Sequence, residues 1–405
     1  LENVLSFTLS PESGCVLVSQ LLKRTRKRRI FAVTQAKDRP TNQTRLEAAL
    51  GRFAAEGFAR REPALLQPAG VFLDRLGEDF RGRLYLTSDG GDAELCLRPE
   101  FTIPICLDYL ATSGASQPAA LAYGGAIFRA GEGETLQAGL ESFGRDDREA
   151  ADAEILGVAL DAAKAAGAAP LTLRLGDAGL VKTFLDRLDL APAWRRRFEI
   201  GHARGEPLAK TLSPPTRKEN GVGAGVLAAL EKADAAGAKK LVEDLLSLAG
   251  ISTVGGRSAG EIAERFLEQA SLEDGGGVTR EKRVLLEAFF AVEGAPDAAS
   301  ARLRAIANEA KIDLGFALDS FDTRSSFIAA RGLALDRMIF STSFARRLDY
   351  YSGFVFEARS AKRPDAPPGI AGGRYDRLLR TLGAARDIPA VGAAIWVARL
   401  SGDEA

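Results

Sequence analysis

Ala126-Ile127-Phe128-Arg129, followed after a turn by Gln137-Ala138-Gly139-Leu140-Glu141-Ser142-Phe143-Gly144, is the stretch that decides how this chain is read. Residues 121–129 and 137–143 alternate like strands. The Gly- and Glu-rich run Ala130-Gly131-Glu132-Gly133-Glu134 between them reads as a turn. In the second strand Gln137, Gly139 and Glu141 share one face, and Ala138 and Leu140 share the other. An amide and a carboxylate on one face, with a glycine between them, leave space for a small polar ligand. The plain alternative is a surface strand whose polar face meets water.

Outward from this hairpin, helices and strands mix. A helix is expected from the polar cap Thr41-Asn42, with Leu46, Leu50 and Phe53 on one face. Leu84-Tyr85-Leu86-Thr87 and Glu94-Leu95-Cys96-Leu97 read as a short hairpin around Asp89-Gly90-Gly91-Asp92. A long helix follows from about Glu149 to Ala166, then a strand at Leu171–Leu175. From 178 to 311 amphipathic helical spacings dominate. After 312 strands return at Met338–Ser341, Phe354–Glu357 and Ala390–Ala393, with a short helix near 374–382 and a C-terminal helix. The pattern is an α+β unit interrupted by helices. Gly221-Val222-Gly223-Ala224-Gly225 is not a dinucleotide fingerprint and reads as a loop.

Composition excludes several chemistries. The 405 residues contain 54 Lys plus Arg and 54 Asp plus Glu, so the formal net charge is zero, a poor basis for whole-surface binding to nucleic acid or membrane. One histidine, His202, removes multi-histidine metal sites and HExxH zinc chemistry. Cys15, Cys96 and Cys106 form no CxxC, so we expect neither disulfides nor zinc, and a cytoplasmic protein. No apolar run is long enough for a transmembrane helix, and Leu1-Glu2-Asn3-Val4 opens nothing like a secretory signal. Residues 1–38 read as an extension. Its basic run Lys23–Arg29 is either a solvated block or a polyanion-binding arm.

Two further segments concentrate polar groups. Leu97-Arg98-Pro99-Glu100-Phe101-Thr102 puts a carboxylate and a hydroxyl at a strand-to-helix junction. They either meet an ammonium group or cap the helix. Phe344-Ala345-Arg346-Arg347-Leu348-Asp349-Tyr350-Tyr351-Ser352-Gly353 sets arginines beside two tyrosines. Either an arginine holds a carboxylate, or it pairs with Asp349 while the tyrosines enter the core.

Taken in order, these segments resemble one family. Residues 344–353 are similar to the RGLDYYTG motif of histidyl-tRNA synthetases and their paralogues, and Leu97–Thr102 to their LRPE-[GF]-T element. Tyr123–Arg129 resembles class II synthetase motif 2. Ala371-Gly372-Gly373-Arg374-Tyr375-Asp376, Pro389-Ala390-Val391-Gly392 and Val397-Ala398-Arg399-Leu400 resemble the run that includes motif 3. Pro63 matches the motif 1 proline. The resemblance covers roughly 40–177 and 312–400. It implies a class II aminoacyl-tRNA synthetase-like antiparallel sheet flanked by helices, built from 39–177 and 312–405, with a mostly helical insertion at 178–311.

The family contains catalytic synthetases and the non-catalytic regulatory subunit of ATP phosphoribosyltransferase. Four departures favour the second. The chain ends five residues after Leu400, where a synthetase carries an anticodon-binding domain, so tRNA is not an expected partner. Phe128-Arg129-Ala130-Gly131 lacks the motif 2 Glu, and only seven residues separate Arg129 from Gln137. Trp396 stands where motif 3 leaves room for adenosine, and Arg347 replaces the Gly of RGLDYY. The positions that the resemblance assigns to histidine are Glu100, Thr102, Arg129, Gln137, Glu141, Arg346, Tyr350 and Tyr351, all of compatible type. It implies that Glu100, Thr102 and Gln137 accept from the α-ammonium, Arg346 takes the α-carboxylate, and Glu141 with a Tyr hydroxyl holds the imidazole. The implied role has no catalytic residue, metal or cofactor of its own. Its partners are a short-form catalytic subunit, a second copy through the Pro63 segment, and L-histidine as effector in the first step of histidine biosynthesis. The alternatives are a truncated histidyl-tRNA synthetase or related amino-acid-activating enzyme, and an RNA-binding relative.

Overall fold

The computed structural model describes residues 41–76, 78–91, 93–112, 117–213, 278–346 and 350–401, with positions 240, 244, 253–254 and 257–258. Cys15, the basic run 23–29, the Gly221–Gly225 stretch, the apolar spacings at 227–267 and Arg347 with Asp349 lie outside the described residues.

Helix α1 (Asn42–Ala55) starts where the cap predicts, with Thr41 accepting from the Thr44 amide and Leu46, Leu50 and Phe53 buried. Then come β1 (Ala59–Arg60), β2 (Leu66–Pro68), α2 (Ala69–Leu76), a 3-10 turn (Glu78–Arg83), β3 (Leu86–Ser88), β4 (Glu94–Leu97) and α3 (Thr102–Ala111). The hairpin β5 (Ala119–Arg129) and β6 (Gly133–Phe143) leads to α4 (Arg148–Ala165), β7 (Leu171–Asp177), α5 (Ala178–Arg187), α6 (Pro192–Ala203) and α7 (Leu208–Leu212). After a two-residue pairing of β8 (Thr253–Val254) with β9 (Arg257–Ser258) come α8 (Arg280–Phe290), β10 (Glu293–Gly294), α9 (Pro296–Ala310) and α10 (Gly315–Ala330). The last elements are β11 (Met338–Ser341), β12 (Phe354–Ser360), β13 (Ile370–Arg374), α11 (Leu378–Thr381), β14 (Ala390–Trp396) and a 3-10 turn (Val397–Ser401).

Nine strands form one sheet in the order β1-β5-β6-β14-β13-β12-β7-β11-β10. All neighbours pair antiparallel except β1 with β5 and β7 with β11. A smaller sheet, β2-β4-β3, stands beside it. Ala138 and Leu140 face the main apolar cluster, where α1, α4, α5 and α8–α10 pack. The opposite face carries a second cluster around Phe101, Tyr123, Phe143, Tyr375 and Trp396, and Gln137 and Glu141 point to that side. Apolar residues of 178–212 and 280–310, including Phe184 and Phe289 stacked at 3.7 Å, join the main cluster.

Several local expectations need correction. The central hairpin is tighter than its sequence implies, because Arg129 already pairs with Gly133 and the turn is 130–132. Gly131 at φ 86° and Gly133 at φ 73° supply the left-handed backbone that closes it. Helix α10 fills a stretch to which the sequence reading gave no element: Phe316 is 91% exposed and Phe327 42%, so not all of its apolar residues lie on one face. Strand β13 hides behind Gly372-Gly373, residues that rarely advertise a strand. A Cβ at Gly372 would stand 2.3 Å from the Gly392 carbonyl, and one at Gly373 2.5 Å from that of Phe354. At the C-terminus the expected helix is, among the described residues, the five-residue 3-10 turn.

Candidate functional site

A cavity of about 510 Å³ opens on the face of the sheet that carries Gln137 and Glu141. The strand registers build its floor. Gln137 lies opposite Trp396, Gly139 opposite Ala394, and Glu141 opposite Gly392. Ala394 continues the row to Ala371, and Ala371 to Glu357. Small residues in the middle of the sheet leave depth, and polar residues at both ends line it.

Glu141 is the deepest polar group, 1% exposed. Its Oε1 accepts from the Thr102 hydroxyl at 2.9 Å and the Tyr123 hydroxyl at 3.2 Å; its Oε2 accepts from the Tyr375 hydroxyl. The carboxyl lies flat over Gly392, where a Cβ would come within 1.4 Å of Oε2. Burial, opposed by these three hydroxyls and reinforced by Glu100, pushes its pKa up to about 8. Tyr123 is held by stacking on Phe101, centroids 4.6 Å apart.

Glu100 lies at the start of α3. Its two oxygens accept the backbone N–H of Thr102 at 2.7 Å and of Ile103 at 2.9 Å, so the helix-cap reading is what the fold adopts, inside the cavity wall. Burial raises its pKa, against the pull of these amides and of Arg129. Arg129 donates Nε to the Pro99 carbonyl at 2.9 Å and lines the cavity. Gln137 is 2% exposed, and its Oε1 has no partner among the described residues. The Nε1 of Trp396 and the Nε of Arg346 are likewise buried without one. Arg346 gives Nη1 to Glu357 at 3.0 Å, and Glu357 also takes Arg359 at 2.7 Å. Tyr350 and Tyr351 close the cavity beside Tyr375, with centroids 5.7 and 6.5 Å from it.

All eight residues predicted from sequence therefore line one cavity, with changed duties. The space above Gly139 belongs to the Tyr123 ring, since a Cβ there would stand 2.2 Å from it. Thr102 is a donor to Glu141. Arg346 pairs with Glu357, a partner from β12. Sequence reasoning missed Tyr375 and Glu357 as wall residues and Tyr123 as a hydroxyl donor to Glu141. The two tyrosines sit in quoted motifs, and the register of Tyr123 opposite Gly139 was the signal available. Among the described residues no group of three or more His, Cys, Asp or Glu could hold a metal ion, and no helix is long and apolar enough to cross a membrane. His202, the lone histidine, is buried with Nε2 3.0 Å from the Thr342 carbonyl, and burial lowers its pKa to about 4.

The histidyl-tRNA synthetase family model matches residues 31–212 and 222–400. A curated ATP phosphoribosyltransferase regulatory subunit from Brucella canis is 39% identical over 348 residues, 84% of this chain and 91% of that protein. This chain belongs to the regulatory-subunit family of ATP phosphoribosyltransferase, built on the histidyl-tRNA synthetase scaffold. Members of this family are the regulatory rather than the catalytic subunit. Solved structures agree on the fold. An ATP phosphoribosyltransferase regulatory subunit/histidyl-tRNA synthetase from Bacillus halodurans superposes with a TM-score of 0.59 at 20% identity, covering 89% of this chain and 79% of that one. A histidyl-tRNA synthetase from Nostoc superposes with a TM-score of 0.60 at 16% identity, covering 89% and 70%. The mostly antiparallel sheet flanked by helices is thus the class II synthetase fold.

Proposed function

We propose that this regulatory subunit binds free L-histidine in the 510 Å³ cavity and makes a short-form catalytic subunit of ATP phosphoribosyltransferase, in the cytoplasm, answer to it. One observation carries the reading. Two buried carboxylates, Glu100 and Glu141, and the Oε1 of Gln137, which has no partner among the described residues, face one space; among those residues neither acid is in a salt bridge, and Arg129 acts on Glu100 only from beyond salt-bridge contact. Such groups are costly unless a donor arrives. The imidazole meets Glu141, the ammonium meets Gln137 and Glu100, and the carboxylate takes the open guanidinium edge of Arg346 near Arg129. The indole of Trp396, covered by Arg399 at 4.8 Å, borders the side where a synthetase would seat adenosine. The chain accordingly should not bind ATP at or below about 100 µM, roughly 5–6 kcal/mol.

Self-association belongs to the same proposal. Leu65, Leu66, Tyr85 and Leu86, 40–48% exposed, crowd the small sheet β2-β4-β3 next to Pro63. A twofold pairing there would cover them. Sedimentation of the isolated subunit as a monomer at micromolar concentration would count against it.

The decisive experiment reconstitutes the complex and follows its activity against histidine concentration. Arg346→Ala should weaken inhibition by about 2–5 kcal/mol while the uninhibited rate stays largely intact. Unchanged inhibition curves with intact assembly would mean that histidine acts elsewhere.

A further inference from the structure

Ala345, Arg346 and Tyr351 line the histidine cavity and also a second cleft of about 340 Å³ against α5 and α6.

Its walls are amphipathic. Val181, Ile200 and Val355 form an apolar side. Lys182, Arg204, Arg346 and Arg377 surround it, against Glu199 as the one carboxylate that lines it among the described residues. Lys182 is paired with Asp186 at 2.6 Å, and Arg346 with Glu357 at 3.0 Å. Among the described residues, Arg204 and Arg377 have no ion-pair partner. His202 also lines the cleft, but burial keeps it neutral at pH 7 and it adds no charge. Two guanidiniums without an ion pair among the described residues, beside an apolar wall, match a ligand with two negative charges on one end and a hydrophobic body on the other.

We propose that this cleft is a second ligand site, for a phosphate monoester with an apolar body, and that its occupant weakens histidine binding by sharing Arg346. A guanidinium between two anions satisfies each less well than it satisfies one, so the coupling is negative and reciprocal. The site itself stands on the cleft's own residues; the coupling rests on the histidine reading.

Calorimetry on the full chain tests both halves, with inorganic phosphate and phenyl phosphate as probes. Phenyl phosphate should bind more tightly than inorganic phosphate. Arg204→Ala combined with Arg377→Ala should weaken it by tenfold or more, since two charge-assisted hydrogen bonds are lost. Both arginines are exposed, so the variant should melt like the parent. Saturating phenyl phosphate should raise the apparent Kd for histidine at least about fivefold in the parent and not in the double variant. No binding of either probe at millimolar concentration, or equal binding by parent and variant, overturns the site. Inorganic phosphate binding as tightly as the ester overturns the ester class. If neither probe binds and the variant loses the catalytic subunit, the cleft is a protein-docking surface and the proposal fails. If the probes bind as expected but histidine does not bind at all, the coupling half falls together with the histidine reading, and the site stands.

Discussion

Two sets of buried carboxylates lie in this fold, and they are treated in opposite ways. Behind the sheet, Asp152 meets Arg374 at 2.7 Å and Arg324 at 3.4 Å, and Arg324 also holds Asp177. Arg374 further donates to Asp376 at 2.8 Å and to the Arg148 carbonyl at 3.0 Å. In the cavity, Glu357 is paired with Arg346 and Arg359, but Glu141 takes hydroxyl donors and Glu100 backbone amides, and among the described residues neither of these two is in a salt bridge. Buried acids matched with guanidiniums tie α4, α10, β7 and β13 together. Buried acids without a salt-bridge partner are held ready at the fold's expense, which is what a site for a cationic ligand requires.

The largest effect should come from breaking the first set. Arg374→Ala leaves Asp152, 1% exposed, with Arg324 alone, and should cost about 3–5 kcal/mol in denaturant unfolding. A loss below about 1 kcal/mol would erase the contrast between the two sets.

A smaller and differently placed effect should follow in the cavity. Glu141→Gln keeps an acceptor for the hydroxyls and removes the acid. Folding stability should stay within about 1 kcal/mol of the parent, or rise, while histidine affinity falls by about 1.5–3 kcal/mol in calorimetry. A variant that melts early and binds normally would place Glu141 with the structural acids.

The smallest effect is on pH, and its sign is fixed. The groups facing Glu141 are Glu100, Thr102, Tyr123, Tyr375 and Cys106. None is a cation, and its pKa rises from 4.5 to about 8. The folded chain therefore holds an extra proton between those values. The contribution of this group to stability is fully present below 4.5 and is lost as pH rises towards about 8. Histidine needs the ionised acid, so its binding should release a proton near pH 7. Calorimetry in buffers of different ionisation enthalpy reads this, at no more than about 1.4 kcal/mol per pH unit. An absence of buffer dependence would mean that Glu141 is already ionised when the cavity is empty.

The strand alternation around Glu141 was legible because one-residue steps swap faces, and no distant contact can change that. The helix from Thr41 was legible for the same local reason, a cap followed by one apolar face. Strand β13 was not, because glycines at 372 and 373 are chosen for the close approach of β14 and β12, and that approach exists only after folding. Helix α10 was not, because Phe316 is exposed where periodicity assumes that phenylalanine is buried.

For the site, sequence alone determined which residues would meet: eight positions in three separated segments, drawn together by an ordered set of motifs. It also placed a glycine, Gly139, between Gln137 and Glu141 on one face. What fills the small places was decided only by the tertiary structure. The room above Gly139 went to Tyr123, and the room above Gly392 to Glu141. Arg346 went to Glu357 on a neighbouring strand. The physical reason is range. Backbone alternation dictates a side chain's face from its own neighbours, whereas its partner is whichever donor the packed sheet brings near. For Glu141 that donor is Tyr375, 234 residues along the chain.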